Sequence, residues 1–264
     1  MSEGAGGAVL SSTDSHPGVA TITINRPARR NAVNAAVVDG IGRALKAAEE
    51  DGSVTAVVLT GAGGQAFCAG ADLAGVEDVG PVAGHFARAG IADLFRSMRS
   101  SRLPTVARVN GHALGGGFGL MLACDLVVAV DHAEFGTPEI NVGLWPFIIT
   151  AVLQRDVPRK LVLELMLTGR RITSREGLDA GFVNRVVPTS GLDDAVYELT
   201  DTIGNKSPLA VSLGKRSFYR AEEQNFDDAL EYLVGMLSVG LQSEDAAEGI
   251  SAFLQKRVPN WKGR

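Results

Sequence analysis

Two glycine-rich stretches carry the residue types and spacings that could do chemistry in this chain. The first reads Gly61-Ala-Gly-Gly-Gln-Ala-Phe-Cys-Ala-Gly-Ala-Asp-Leu73 and the second Asn110-Gly-His-Ala-Leu-Gly-Gly-Gly-Phe-Gly119, each directly after a strand-like run. Glycine lets backbone N–H groups approach a ligand closely, and a triple glycine opening a helix aims several unpaired N–H groups and the positive dipole end at one point. The small residues Ala69, Gly70 and Ala71 would let a second strand end offer another donor to that point. Two converging donors suit an oxyanion that develops during reaction, where losing one typically costs about 10²–10³ in rate. Tight turns without chemistry explain the glycines as well, so the residues alone leave both readings open.

Nucleotide binding fits less well. Gly61, Gly63 and Ala66 formally match the dinucleotide fingerprint, but another small-residue turn follows instead of a helix, and the first βα turn of the chain lies elsewhere. A Walker-type phosphate loop is excluded, because no Gly-Lys-Ser/Thr ends either stretch.

The elements that must hold these loops follow from periodicity. Residues Val19 to Asn25 alternate apolar and polar until Pro27, which predicts a strand. From Asn34 to Glu50 the pattern lengthens, with Val37, Val38, Ile41, Leu45 and Ala48 at helical spacing and Asn34 as N-cap. The βα pattern repeats through strand Val54 to Thr60, a helix from about Val82 to Ser100, strand Thr105 to Val109, a short helix and strand Leu126 to Val130. Such alternation predicts an α/β core. Beyond residue 145 the strand signal fades apart from Val183 to Val187, and helices are predicted over Arg159 to Leu167, Leu192 to Ile203, Leu209 to Arg220, Phe226 to Leu241 and Glu244 to Lys256. The last of these is apolar at Ala247, Ile250, Ala252, Phe253 and Leu254, and should cover its own core or a neighbouring subunit, the first being the commoner fate of such a stripe. The domain reading is a flexible leader over 1–17, a core over 18–200 and a helical C-terminal region over 201–264.

Charge and cysteines narrow the function classes. A formal net charge of −5 offers no basic face to a nucleic-acid backbone. The two cysteines, Cys68 and Cys124, sit far apart in apolar surroundings and read as packed thiols instead of a disulfide or metal site. The N-terminus lacks a basic segment followed by an apolar one, and the longest apolar run, Leu120 to Val130, is broken by Asp125. A cytoplasmic protein with no membrane partner is the expectation.

Taken in order, Asn25-Arg-Pro…Asn31-Ala-Val-Asn, Ala66-Phe-Cys-Ala-Gly-Ala-Asp-Leu73, Gly111-His-Ala-Leu-Gly-Gly-Gly117, Cys124-Asp125, Phe135-Gly-Thr-Pro-Glu139 and Leu167-Thr-Gly resemble the crotonase (enoyl-CoA hydratase/isomerase) superfamily from about residue 19 to 258. The resemblance implies a spiral of ββα turns with a helical C-terminal trimerisation region, assembled as a homotrimer or a dimer of trimers. It also implies an acyl-CoA thioester substrate, coenzyme A entering with that substrate and no other cofactor, and no metal. Its oxyanion hole falls on the N–H groups of Ala71 and Gly116. Ala69, Asp72 and Leu73 would border the adenine and pantetheine, and Arg29 and Arg30 the CoA phosphates, although a solvated arginine pair reads as well. His112, Trp145 and Phe147 are candidates for the acyl pocket.

Two departures from the family pattern bear on the reaction. Family hydratases carry two glutamates. The one in the Pro-Glu turn is Glu139, where partial burial between apolar segments should raise its pKa, while the position of the other is Gly119. A single carboxylate can move a double bond by taking a proton from one carbon and returning it to another, whereas hydration needs two groups. Isomerase-like chemistry is therefore expected over efficient hydration, unless Glu77 or Asp78 replaces the missing acid. Other crotonase-type reactions and a non-catalytic CoA-ester binding protein are the alternatives. In addition, Gly143-Leu-Trp-Pro-Phe-Ile-Ile149 places bulky residues where hydratases continue into a glycine-rich turn, which predicts a narrower or reshaped acyl pocket.

Overall fold

The computed structural model describes residues 7–72 and 80–264. Strand β2 (Val19–Ile24) buries alternate residues, and β3 (Ala56–Gly61), β5 (Thr105–Val109) and β7 (Leu126–Val130) are almost wholly buried, as parallel strands covered on both faces must be. With β1 (Val9–Ser12) and β10 (Arg185–Val187) they form a six-stranded sheet in the order β1-β2-β3-β5-β7-β10. A second sheet is built from short strands, β4 (Ala66–Cys68), β6 (His112–Leu114), β8 (Glu134–Gly136) and β9 (Arg171–Thr173), in the order β4-β6-β8-β9. Only β1 and β9, at the ends, pair antiparallel.

The chain visits the two sheets in turn. β3, β4 and helix α2 (Pro81–Ser100) make one ββα turn; β5, β6 and α3 (Gly116–Leu122) make the next; β7, β8 and α4 (Thr150–Asp156) make the third. This is the expected spiral. Helix α1 (Ala35–Glu50) buries Val37, Val38, Ile41, Leu45 and Ala48, the residues its periodicity selects, and the Asn34 side chain accepts from the Val37 amide at 3.0 Å as its N-cap.

The sequence expectation fails at the N-terminus. Residues 9–12, read as part of a flexible leader, pair with β2 in the register Val9↔Ile24 to Ser12↔Thr21, and Ala8 is buried beside them. The strand is short and its residues Leu10, Ser11 and Ser12 are all exposed, so no period-two pattern registers.

Helices α5 (Arg159–Thr168), α6 (Ser174–Asp179) and α7 (Leu192–Gly204) complete the core, so the boundary drawn at residue 200 falls inside α7. Helices α8 (Pro208–Glu222), α9 (Phe226–Leu241) and α10 (Glu244–Gln255) follow. Lys215 pins α8 to the core: its ammonium is 2.8 Å from Asp125 and donates to the carbonyls of Met98 and Leu103. Asp125 also accepts from the Thr105 amide and the Tyr219 hydroxyl. The Asp125 that interrupts the apolar run is thus the anchor of the helical region. In α10 only Ala252 of the apolar set is fully buried, while Phe253 is 83% exposed, so the stripe does not cover its own core.

Both cysteines are buried, and burial pushes the Cys68 thiol up to about 12 and that of Cys124 higher still. A thiol reagent such as Ellman's should therefore label neither cysteine in the native protein at pH 8 and both after denaturation; fast labelling of the native chain would contradict this packing.

Candidate active site

β4, β6 and β8 pair in parallel, so their C-terminal ends lie in a row, and each runs into one loop of the candidate site. β4 leads to Ala71, β6 to Gly116 and β8 to Glu139.

The first loop is clamped from below by two buried asparagines. Asn110 donates to the carbonyls of Gly61 and Gly63 at 2.8 and 2.5 Å and accepts from the Gly61 amide at 3.2 Å. Asn31 donates to the carbonyls of Ala62 and Ala66 and accepts from the Arg26 amide. At the end of the loop, Val33 N–H donates to Gly70 O at 2.7 Å and Asp72 N–H to Val33 O at 2.8 Å. The amides on either side of Ala71 make this bridge, which turns the Ala71 N–H away from Val33.

It turns toward the second loop. A methyl group placed on Gly116 would lie 3.7 Å from the Ala71 nitrogen, and one placed on Gly70, whose φ is +100°, would lie 3.5 Å from the Gly116 nitrogen. Gly116 opens α3, so its N–H precedes any helical acceptor. The backbone nitrogens of Ala71 and Gly116 therefore border one small space.

The third loop brings the carboxylate. Gly115 N–H donates to Gly136 O at 2.8 Å, which ties the end of β6 to the end of β8. Glu139 follows in a 3₁₀ turn, Pro138–Val142, closed by left-handed Gly143. Its Oε1 would lie 2.6 Å from a methyl group on Gly115, so only glycine, here at φ +51°, lets the carboxylate in. Oε2 is buried and has no hydrogen-bond partner among the described residues. Burial raises the Glu139 pKa above its ordinary 4.5, opposed by a weaker bond to its own backbone N–H. Beneath, Phe118 of α3, Phe135 of β8 and Phe182 pack with ring centroids 5.6–5.9 Å apart and fix α3 against the strand that carries Glu139.

The sequence profile described as enoyl-CoA hydratase/isomerase matches residues 14–264. The chain belongs to this family. It is 37% identical over 254 residues to the carnitinyl-CoA dehydratase of Proteus mirabilis, covering 93% of this chain and 95% of that protein. To the 2,3-dehydroadipyl-CoA hydratase of Escherichia coli it is 36% identical, with 93% and 96% covered. The crystal structure of an enoyl-CoA hydratase of Mycobacterium smegmatis superposes with a TM-score of 0.90 at 35% identity, over 96% of this chain and 98% of that one. Acyl-CoA thioesters are the substrates of this family.

Other residues singled out in the sequence fall at varied distances from this centre. Arg29 and Arg30 are exposed, and the Arg30 carbonyl accepts from Ala69 N–H at 3.0 Å. Asp72 is paired with Arg26 at 2.7 Å, a partly buried arginine that also holds the Ala32 carbonyl. Leu73, Glu77 and Asp78 lie outside the described residues. His112 opens β6 at the end away from the loop, where its Nδ1 accepts from the Glu134 amide at 3.1 Å, so its ring is committed to the strand and not to the hole. Trp145 packs partly against the core. Phe147, expected in the acyl pocket, is 77% exposed; of that bulky segment it is Ile149, not among the pocket candidates, that packs beside α3. No group of three or more His, Cys, Asp or Glu side chains among the described residues could hold a metal.

Asn110→Ala removes the clamp on the first loop and leaves two carbonyls and an amide without a partner. It should cost about 2–4 kcal/mol of stability, read by denaturant unfolding, and lower turnover by displacing Ala71; a variant as stable and active as the parent would show that the loop holds itself.

Proposed function

We propose that this family member moves a carbon–carbon double bond within an acyl-CoA thioester, from the 3- to the 2-position, with Glu139 as its single proton carrier. The carrying observation is the Glu139 carboxylate, buried and unpartnered at Oε2 among the described residues, next to the backbone nitrogens of Ala71 and Gly116. The thioester oxygen would sit between the N–H groups of Ala71 and Gly116. Glu139 takes a proton from C2, the electron pair moves onto the thioester oxygen as a dienolate, and the carboxylic acid returns the proton to C4 as the double bond shifts into conjugation. The step is redox-neutral and adds nothing to the substrate, so it calls on no cofactor beyond the coenzyme A of the thioester. The CoA would run past Ala69 and Asp72, its phosphates toward exposed Arg29 and Arg30. The relatives named as hydratases and dehydratase favour water addition or loss as the second reading, with an acid other than residue 119.

The direct test is a parallel assay with a 3-enoyl-CoA and a 2-enoyl-CoA, products identified by mass. Conjugation of the 3-enoyl substrate without uptake of water supports the single-carboxylate reaction; rapid hydration of the 2-enoyl substrate with no double-bond shift refutes it. Glu139→Gln should lower turnover by at least about 10²-fold while CoA-ester affinity holds. As a base Glu139 works ionised, so its raised pKa moves the acid limb of the pH–rate profile above the ordinary carboxylate range, and activity falls as pH drops through it. The linkage to stability has the opposite sign: the folded state favours the protonated acid, an advantage present below the ordinary value of 4.5 and lost as pH rises through the raised one. Glu139→Gln should accordingly melt above the parent at pH 7; a lower melting temperature at neutral pH would contradict a destabilising buried charge.

The reading extends to assembly as a homotrimer or a dimer of trimers in the cytoplasm. Its support is the apolar stripe of α9, where Val234, Leu237 and Leu241 are 65%, 63% and 60% exposed on one face and no residue of the helix is buried. Light scattering should give three or six times the 27.6 kDa chain mass, and Val234→Glu should lower it; a monomer at working concentration would overturn the assembly.

A further inference from the structure

Gly119 and Ile149 belong to different turns of the spiral, yet they compete for one space. A methyl group on Gly119 would sit 2.8 Å from Ile149 Cβ, closer still to Ile149 Cγ2, and 3.3 Å from Phe95 Cζ. Real side-chain carbons do not approach so closely, and the blocking atoms are the branched root of Ile149, not a flexible tip that could swing aside. Ile149 and Phe95 are both buried in the core. Ile149 cannot easily retreat either, since its carbonyl accepts from the amides of Val152 and Leu153 in the first turn of α4. Residue 119 lies one turn along α3 from Gly115, which abuts the Glu139 carboxylate, with Gly119 N–H donating to Gly115 O at 3.1 Å.

We infer that Ile149, backed by Phe95, is the specificity-determining wall of this site: it fills the volume from which a second carboxylate on α3 would reach the acyl chain, and so selects acyl thioesters that exchange protons over those that gain or lose water. This rests on the double-bond-shift reading above. A second acid on α3 requires two changes, at 119 and at 149, because a side chain at 119 meets Ile149 Cβ unless 149 is emptied. A hydroxyl on the acyl chain facing this wall would meet Gly119, Ile149 and Phe95, none of which offers a side-chain hydrogen-bond partner, so 3-hydroxyacyl thioesters are disfavoured. Apolar enoyl thioesters are the substrate class it suits.

The test has a steric arm and a chemical arm. Melting temperatures are measured for the parent, Gly119→Ala, Ile149→Gly and the double variant; glycine is needed at 149 because alanine keeps the Cβ, and it is tolerated at an N-cap. Gly119→Ala should lower the melting temperature by about 4 °C or more in the parent and by far less, or not at all, in the Ile149→Gly background. An equal loss in both backgrounds overturns the wall. In the chemical arm, Gly119→Glu/Ile149→Gly should hydrate a 2-enoyl-CoA at least about tenfold faster than the parent and than Gly119→Glu alone. Hydration by Gly119→Glu alone as fast as by the double variant overturns the proposal. A parent protein that shifts no double bond refutes the function proposed above, and the melting cycle still decides whether Ile149 closes this space.

Discussion

The parallel pairing of β6 with β8 is the constraint on which the site depends. Leu114 stands opposite Gly136 in that register, and the Gly115 amide adds one more bond to Gly136 before the two chains part. From there β6 turns into α3 and β8 into the 3₁₀ turn, so Gly116 and Glu139 start from a shared ladder rung. A slip of one residue would turn every side chain of β8 to the other face and carry Glu139 away from the hole. Three-residue strands cannot hold a register by their own hydrogen bonds. The stacked rings of Phe118 and Phe135 do so, one from α3 and one from β8, with Phe182 packed at an angle against both.

Burial of Glu139 works against the fold and for the chemistry. An ionised carboxylate with one oxygen unpartnered in an apolar setting is costly, and its raised pKa is the same cost seen from the proton's side. The surrounding structure offsets it with polar groups that are well paired: Asn31 and Asn110 each satisfy several loop carbonyls and amides, and Arg26 is neutralised by Asp72. The two loops are thus held by several hydrogen bonds each, and the left-handed backbone near them falls at Gly63, Gly70 and Gly115, which bear it without penalty, and at Arg30 and the clamp residue Asn31.

Much of this was legible in the sequence, for physical reasons. Long periodic segments such as α1 and the almost wholly buried strands β5 and β7 announce themselves because burial acts over many residues at once. The glycine loops and Glu139 stood out through ordered motifs. The short strands of the second sheet did not, since three residues give no measurable period, and β1 was lost for the same reason. Asn31, Asn110 and Arg26 were visible as motif residues, but their role as clamps exists only once the loop has folded around them.

Gly119 and Ile149 show most directly what a linear reading misses. Each looks like an independent departure, one a lost side chain and the other an added one. In the folded chain the second side chain occupies the space the first would need, with Phe95 closing the third side. Volume is conserved locally even though neither residue lies near the other in sequence, as a core packed to the density of an organic crystal requires. The loss of a potential acid at 119 and the gain of an apolar branch at 149 are therefore one physical change. Its consequence is a site in which α3 offers no carboxylate and Glu139 lies against Gly115.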